Sequence, residues 1–108
     1  MQLRDNICII PARGGSKRLP NKNIMDFFGK PVIAYAIECA KKSQLFDTVF
    51  VSTDSEKIAE IAVSYGAEVS FLRSAETSSD HATTMAVLDE VLFAMKAKGR
   101  EFRHVLCL

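Results

Sequence analysis

Ile7-Cys8-Ile9-Ile10-Pro11-Ala12-Arg13-Gly14-Gly15-Ser16-Lys17-Arg18-Leu19-Pro20-Asn21-Lys22-Asn23 runs from a wholly apolar tetrapeptide straight into a basic, glycine-containing stretch. Four consecutive apolar residues suit a central strand covered on both faces, because such a strand has no wet side that needs polar residues. The connection that follows extends from residue 11 to about residue 30, far beyond the two to six residues usual between a strand and its helix. A connection of that length is a functional loop by default. Gly14 and Gly15 permit close backbone approach to a ligand, and their amides with that of Ser16 can form a concave nest for phosphate oxygens. Arg13 offers a planar fork to phosphate and Lys22 a compact point charge. No Gly-Lys-Ser/Thr follows at Walker A spacing, and the adjacent glycines do not fit Gly-x-Gly-x-x-Gly.

Outward from this stretch, helical and strand patterns alternate. Pro31 stands where a first helical turn tolerates proline, and Val32, Ile33, Ala36, Ile37 and Ala40 form a stripe. A strand is expected over 48–52, then a helix carrying Ile58, Ile61, Ala62 and Tyr65, stopped by Gly66. Asp54 or Ser55 can cap that helix. Asp54 could also approach a metal or a ribose, but the cap is the favoured role. A third strand is expected over 68–72. A polar loop over 73–81 leads to a helix bearing Val87, Leu88, Val91, Leu92 and Met95, closed by Gly99. The run His104-Val105-Leu106-Cys107-Leu108 reads as a fourth, buried strand. Alternation of this kind predicts an α/β fold: a Rossmann-like, three-layer α/β/α arrangement on a mainly parallel sheet, with the first and fourth strands flanking a switch point. Ligands in such sheets bind beyond the carboxyl ends of the strands. Because a domain rarely finishes on an uncovered apolar strand, residues 1–108 are read as the N-terminal, nucleotide-binding part of one domain truncated after its fourth strand.

Composition narrows the ligand. The 108 residues carry a net charge of +1, which argues against nucleic-acid binding by bulk electrostatics. Residues 13–30 hold five basic residues and one acid, whereas residues 47–90 hold nine acids against Lys57 and Arg73. A small anionic ligand at the early loop fits that asymmetry better than a long polymer. Cys8, Cys39 and Cys107 share no metal-ligand spacing and read as small buried hydrophobes, as in a reducing cytoplasm. His81 and His104 lack partners at ligand spacing and read as structural. No stretch resembles a membrane span or a secretory signal.

The segment 9–24 closely resembles the opening motif of the cytidylyltransferases that activate nonulosonic acids, the CMP-sialic acid synthetase family. The resemblance continues through Phe28-Gly29-Lys30-Pro31-Val32-Ile33-Ala34-Tyr35, Val51-Ser52-Thr53-Asp54, Tyr65-Gly66-Ala67-Glu68-Val69, Phe71-Leu72-Arg73 and Ser79-Asp80-His81-Ala82-Thr83-Thr84. Gly29-Lys30-Pro31, Phe71-Leu72-Arg73-Ser74 and the double threonine look most like the pseudaminic acid branch. Arg18 departs from the glycine common in the N-acetylneuraminic acid branch.

The resemblance implies a Rossmann-like nucleotidyltransferase fold and transfer of CMP from CTP to the anomeric hydroxyl of a nonulosonic acid, with release of pyrophosphate. It implies that Arg13 and Lys22 hold the triphosphate and stabilise charge developing on it. It further implies nucleotide contacts from Ala12, Gly14, Gly15, Ser16 and Asn23, and base contacts from Arg73, Ala82, Thr83 and Thr84. Read from the residues alone, Arg73 is an exposed charge ending a strand and the threonines a helix cap. The resemblance also implies magnesium, with its aspartate ligands beyond Leu108, and a homodimer in the complete protein. A fragment without those ligands is expected not to turn over. Two other readings stay open: a nucleotidyltransferase or glycosyltransferase of similar fold using another nucleotide, and a non-catalytic nucleotide-binding module.

Overall fold

A computed structural model describes residues 6–12, 26–72, 83–102 and 104–108. Strand β1 (Asn6–Pro11) is central, flanked in parallel by β4 (Thr48–Ser52) and β5 (His104–Cys107). In register, Ile9 faces Phe50 on one side and Cys107 on the other. Helices α1 (Val32–Ser43), α2 (Glu56–Ser64) and α3 (Thr84–Ala97) connect the strands. The first and fourth expected strands are therefore neighbours, and the second lies on the other side of the first, as a Rossmann-like switch point requires.

Both faces of β1 are covered, and its period-two alternation divides its residues between two apolar layers. Cys8 and Ile10 pack with Ile33, Ile37, Val51, Ile58 and Ala62, the side covered by α1 and α2. Ile7 and Ile9 pack with Phe50, Val91 and Met95, the side covered by α3. Complete burial of a side chain such as Ile9 stabilises by about 1.5–3 kcal/mol, so these layers supply most of the driving force.

The helix ends follow local chemistry. Pro31 is the residue preceding α1, one position outside the turn expected for it, and Lys41 and Lys42 fall in the last turn, where cations complement the helix dipole. Gly66 closes α2 at φ +99°, a backbone conformation that favours glycine; a Cβ there would lie 2.9 Å from Lys41 Cε, the flexible end of a side chain that can give way. The cap of α2 is Ser55, not Asp54: Ser55 Oγ accepts from the Ile58 amide at 3.2 Å. Asp54 stands one residue too early to reach that first-turn amide. Ser55→Ala should therefore cost about 1 kcal/mol in a urea titration. No loss in that variant would remove Ser55 from the cap.

Three further expectations change. The strand over 68–72 reduces to a single parallel bridge between Phe50 and Glu68. Beyond it the chain leaves the sheet edge, and Phe71 lies with its ring centroid 5.4 Å from that of Phe50. Glu68 is held by Arg100, whose Nη1 donates to both carboxylate oxygens at 3.1 and 2.9 Å while Nη2 donates to Thr48 Oγ1 at 2.7 Å. The fourth strand is present but exposed throughout, because among the described residues β5 is a sheet edge with β1 as its one neighbour. The long loop after β1 contains a small antiparallel ribbon, β2 (Asp26–Phe27) with β3 (Lys30–Pro31). Its turn places Phe28 at φ 52° and Gly29 at φ 88°, the backbone signs of a type I′ hairpin.

Of the three cysteines only Cys8 is buried. Cys39 is on the outer side of α1, away from the inward positions Ile33, Ala34, Ile37 and Ala40, and Cys107 is in the exposed edge strand. Burial pushes the Cys8 thiol above its ordinary pKa, and the neighbouring Cys107 and Cys39 add to the rise. Less thiolate and no access both slow alkylation. Thiol titration of the native chain should thus count two fast groups, with Cys8 reacting only after denaturation. Three fast thiols would show that the β1 layer opens readily.

Candidate functional site

Parallel strands joined by helices bring every helix N-terminus to the carboxyl edge of the sheet, and the expected ligand loops with them. At that edge the ladder between β1 and β4 runs one step past Pro11: the Ala12 amide donates to the Ser52 carbonyl at 2.8 Å. Ala12 and Ser52 are each 1% exposed, and Thr53 is fully buried. Thr53 Oγ1 accepts from the Ser55 amide at 3.1 Å, turning the chain from β4 into the capped start of α2. Ala12, the residue before the basic stretch, is thus fastened to a polar corner of the core. Since the Ala12 amide is used within the sheet and its methyl group is buried in the core, any Ala12 contact to a nucleotide would run through its carbonyl.

Thr83 and Thr84 reach the same edge at the start of α3. Thr83 Oγ1 accepts from the Ala86 amide at 3.1 Å, and both threonines are exposed. The cap uses the hydroxyl oxygen as acceptor and leaves its proton for another partner. Capping and base contact are therefore compatible at Thr83. Arg13, Gly14, Gly15, Ser16, Lys22, Asn23, Arg73 and Ala82 lie outside the described residues, as do Asp80 and His81.

Lys30 belongs to a different arrangement. Its ammonium hydrogen-bonds the Glu38 carboxylate and sits 4.8 Å from the Tyr35 ring centroid. The Glu38 hydrogen bond raises its pKa above the ordinary lysine value, against a smaller opposing desolvation. That positive charge is committed to α1. Lys30, one of the five bases noted between residues 13 and 30, is thus placed to fasten the hairpin to its helix.

Two of the cavities among the described residues lie elsewhere. One of about 230 Å³, lined by Lys41, Phe46, Asp47, Thr48, Val49, Gly66 and Glu68, opens at the amino end of β4. The other, of about 240 Å³, lies between Leu92, Lys96, Arg100, Glu101 and Phe102. Among the described residues no three His, Cys, Asp or Glu side chains converge as a metal set. The magnesium expected from the resemblance, with its ligands beyond Leu108, enters no step assigned to these residues. No helix among the described residues is long and apolar enough to cross a membrane.

Residues 7–100 match the family described as cytidylyltransferase. The chain belongs to the cytidylyltransferase family. Among its members it is 48% identical over 103 residues to the pseudaminic acid cytidylyltransferase of Campylobacter jejuni, covering 95% of this chain and 44% of that protein. It is 42% identical over 102 residues to the CMP-N,N'-diacetyllegionaminic acid synthase of Legionella pneumophila, covering 94% of this chain and 44% of that one. A solved CMP:2-keto-3-deoxy-manno-octonic acid synthetase complexed with CTP superposes with a TM-score of 0.69 at 31% identity, over 82% of this chain and 35% of its own. This chain therefore spans less than half the length of these cytidylyltransferases.

The polar corner Ser52-Thr53 belongs to a stretch that carries the resemblance, but the residue patterns gave it no role. The available signal was a pair of hydroxyl side chains ending an apolar strand immediately before the helix cap.

Proposed function

We propose that the complete protein transfers CMP from CTP to the anomeric hydroxyl of a nonulosonic acid, pseudaminic acid in preference to N-acetylneuraminic acid. The observation that carries this reading is the 48% identity to a pseudaminic acid cytidylyltransferase over 95% of the chain, including the whole segment from β1 to the start of β5. In the reaction the hydroxyl oxygen gives up its proton to water and forms a bond to the α-phosphorus, the α–β phosphoanhydride bond breaks, and pyrophosphate leaves. Charge accumulates on phosphate oxygens, so positioned cations and amides supply most of the acceleration.

Arg13 and Lys22 are assigned to the triphosphate, with Gly14, Gly15, Ser16 and Asn23 donating hydrogen bonds to it. Arg73, Ala82, Thr83 and Thr84 are assigned to cytosine, whose carbonyl and amino groups need a donor and an acceptor respectively. Magnesium, held by aspartates beyond Leu108, would neutralise phosphate charge. A cytoplasmic homodimer completes the proposal.

The test is equilibrium binding of CTP, UTP, ATP and GTP to the 108-residue chain. CTP should bind most tightly, by about ten-fold or more if one base-directed hydrogen bond is lost with each competitor. Equal affinity for UTP would sink the cytosine assignment. The same chain should release no pyrophosphate from CTP and pseudaminic acid, even with magnesium.

A further inference from the structure

Thr53 is a fully buried polar residue at the carboxyl end of a core strand, and none of the roles assigned above uses it. Its hydroxyl oxygen accepts the Ser55 amide at 3.1 Å, and Ser55 in turn caps α2 through the Ile58 amide at 3.2 Å. The Ser52 carbonyl and the Thr53 nitrogen belong to one planar peptide unit, so whatever fixes Thr53 also aims that carbonyl. The Ser52 carbonyl is the acceptor for the Ala12 amide at 2.8 Å. Ala12 is bonded directly to Arg13. A short path of hydrogen bonds and one rigid peptide therefore joins the N-terminus of α2 to Ala12, the residue before the basic stretch.

Resting on the nucleotide-binding reading above, we infer that Thr53 is a positioning residue for triphosphate recognition: its buried hydroxyl sets the corner that anchors Ala12, and thereby the point from which Arg13 departs. Anchoring matters because small displacements of charge-stabilising groups cost disproportionately in binding and catalysis. A merely structural threonine would help the core and leave ligand affinity of the folded protein unchanged. The hydroxyl does both, because the corner it builds is also the loop's attachment.

Thr53→Val keeps the shape of the side chain and removes the acceptor. Amide hydrogen exchange on the intact 108-residue chain should show Ala12 exchanging about ten-fold faster in this variant, with Ile9 in mid-strand unaffected. CTP affinity of the folded variant should fall by about the same factor, since the anchoring bond is worth about one hydrogen bond. Thr53→Ser, which restores the oxygen, should return both values to those of the unaltered chain. Unchanged Ala12 exchange in Thr53→Val overturns the assignment, as does unchanged CTP affinity alongside faster exchange. If the unaltered chain binds no nucleoside triphosphate, the nucleotide reading fails, and Thr53 loses its ligand role with it. The exchange comparison would still decide whether Thr53 holds Ala12.

Discussion

Replacing Phe50 by alanine is expected to cost about 3–5 kcal/mol of folding stability, a large part of the 5–15 kcal/mol available to an ordinary domain. Phe50 is fully buried in β4, pairs with Ile9 across the ladder, and meets Phe71 at 5.4 Å. It is the largest fully buried side chain among the described residues, and it touches the layer made by Ile7, Ile9, Val91 and Met95. Truncation would leave a cavity between the sheet and α3 and would remove the surface on which Phe71 rests after the chain leaves the edge. Phe50→Leu, which keeps most of the volume, should cost less than about 1.5 kcal/mol after repacking. Urea titration followed by far-ultraviolet circular dichroism measures both. A loss below about 1 kcal/mol for the alanine variant would mean that the α3 layer is not packed on β4 as described.

How legible such a core is depends on whether the cue is local. Ile7 to Ile10 could be read as a covered central strand because four apolar residues in a row fit no half-wet strand. The helices over 32–43, 56–64 and 84–97 carry stripes with clear stops at Gly66 and Gly99. What could not be read depended on partners distant in sequence. The segment 68–72 has strand-like residues, but only Glu68 finds the β4 edge. Arg100 clamps that residue from 32 positions away, and Phe71 turns onto Phe50. Cys107 is apolar enough for a core, yet its exposure is set by the edge position of β5. The hairpin at Phe28-Gly29 was hidden because phenylalanine replaces the asparagine or aspartate that normally signals a positive φ at that place.

The site divides in the same way. Its glycines, arginine and lysine are a local pattern, readable as phosphate chemistry before any fold is known. Lys30 looks like one more phosphate cation until its contact with Glu38 and Tyr35 removes it from that role. Thr53 looks like a strand end until its burial and its bond to Ser55 make it part of the corner under Ala12.

That division yields the second large effect. On the proposed function, Arg13→Ala in the complete protein is expected to lower kcat by about 10²–10³-fold, the range seen when one preorganised charge-stabilising donor is removed. The loss should fall on kcat more than on KM, because charge on the phosphate oxygens is greatest in the transition state. Arg13→Lys should recover only part of it, since an ammonium cannot reproduce the paired donors of a guanidinium. Lys22→Ala should also be costly. Lys30→Ala is the internal control: its charge is already committed to Glu38, so it should disturb the hairpin and leave kcat within a few-fold of the parent. Cytidylyl transfer assayed by pyrophosphate release, with folding checked by circular dichroism, separates these cases. Near-normal turnover in Arg13→Ala would remove Arg13 from the reaction. A Lys30→Ala loss as deep as that of Arg13→Ala would show that position in the basic stretch matters less than total charge.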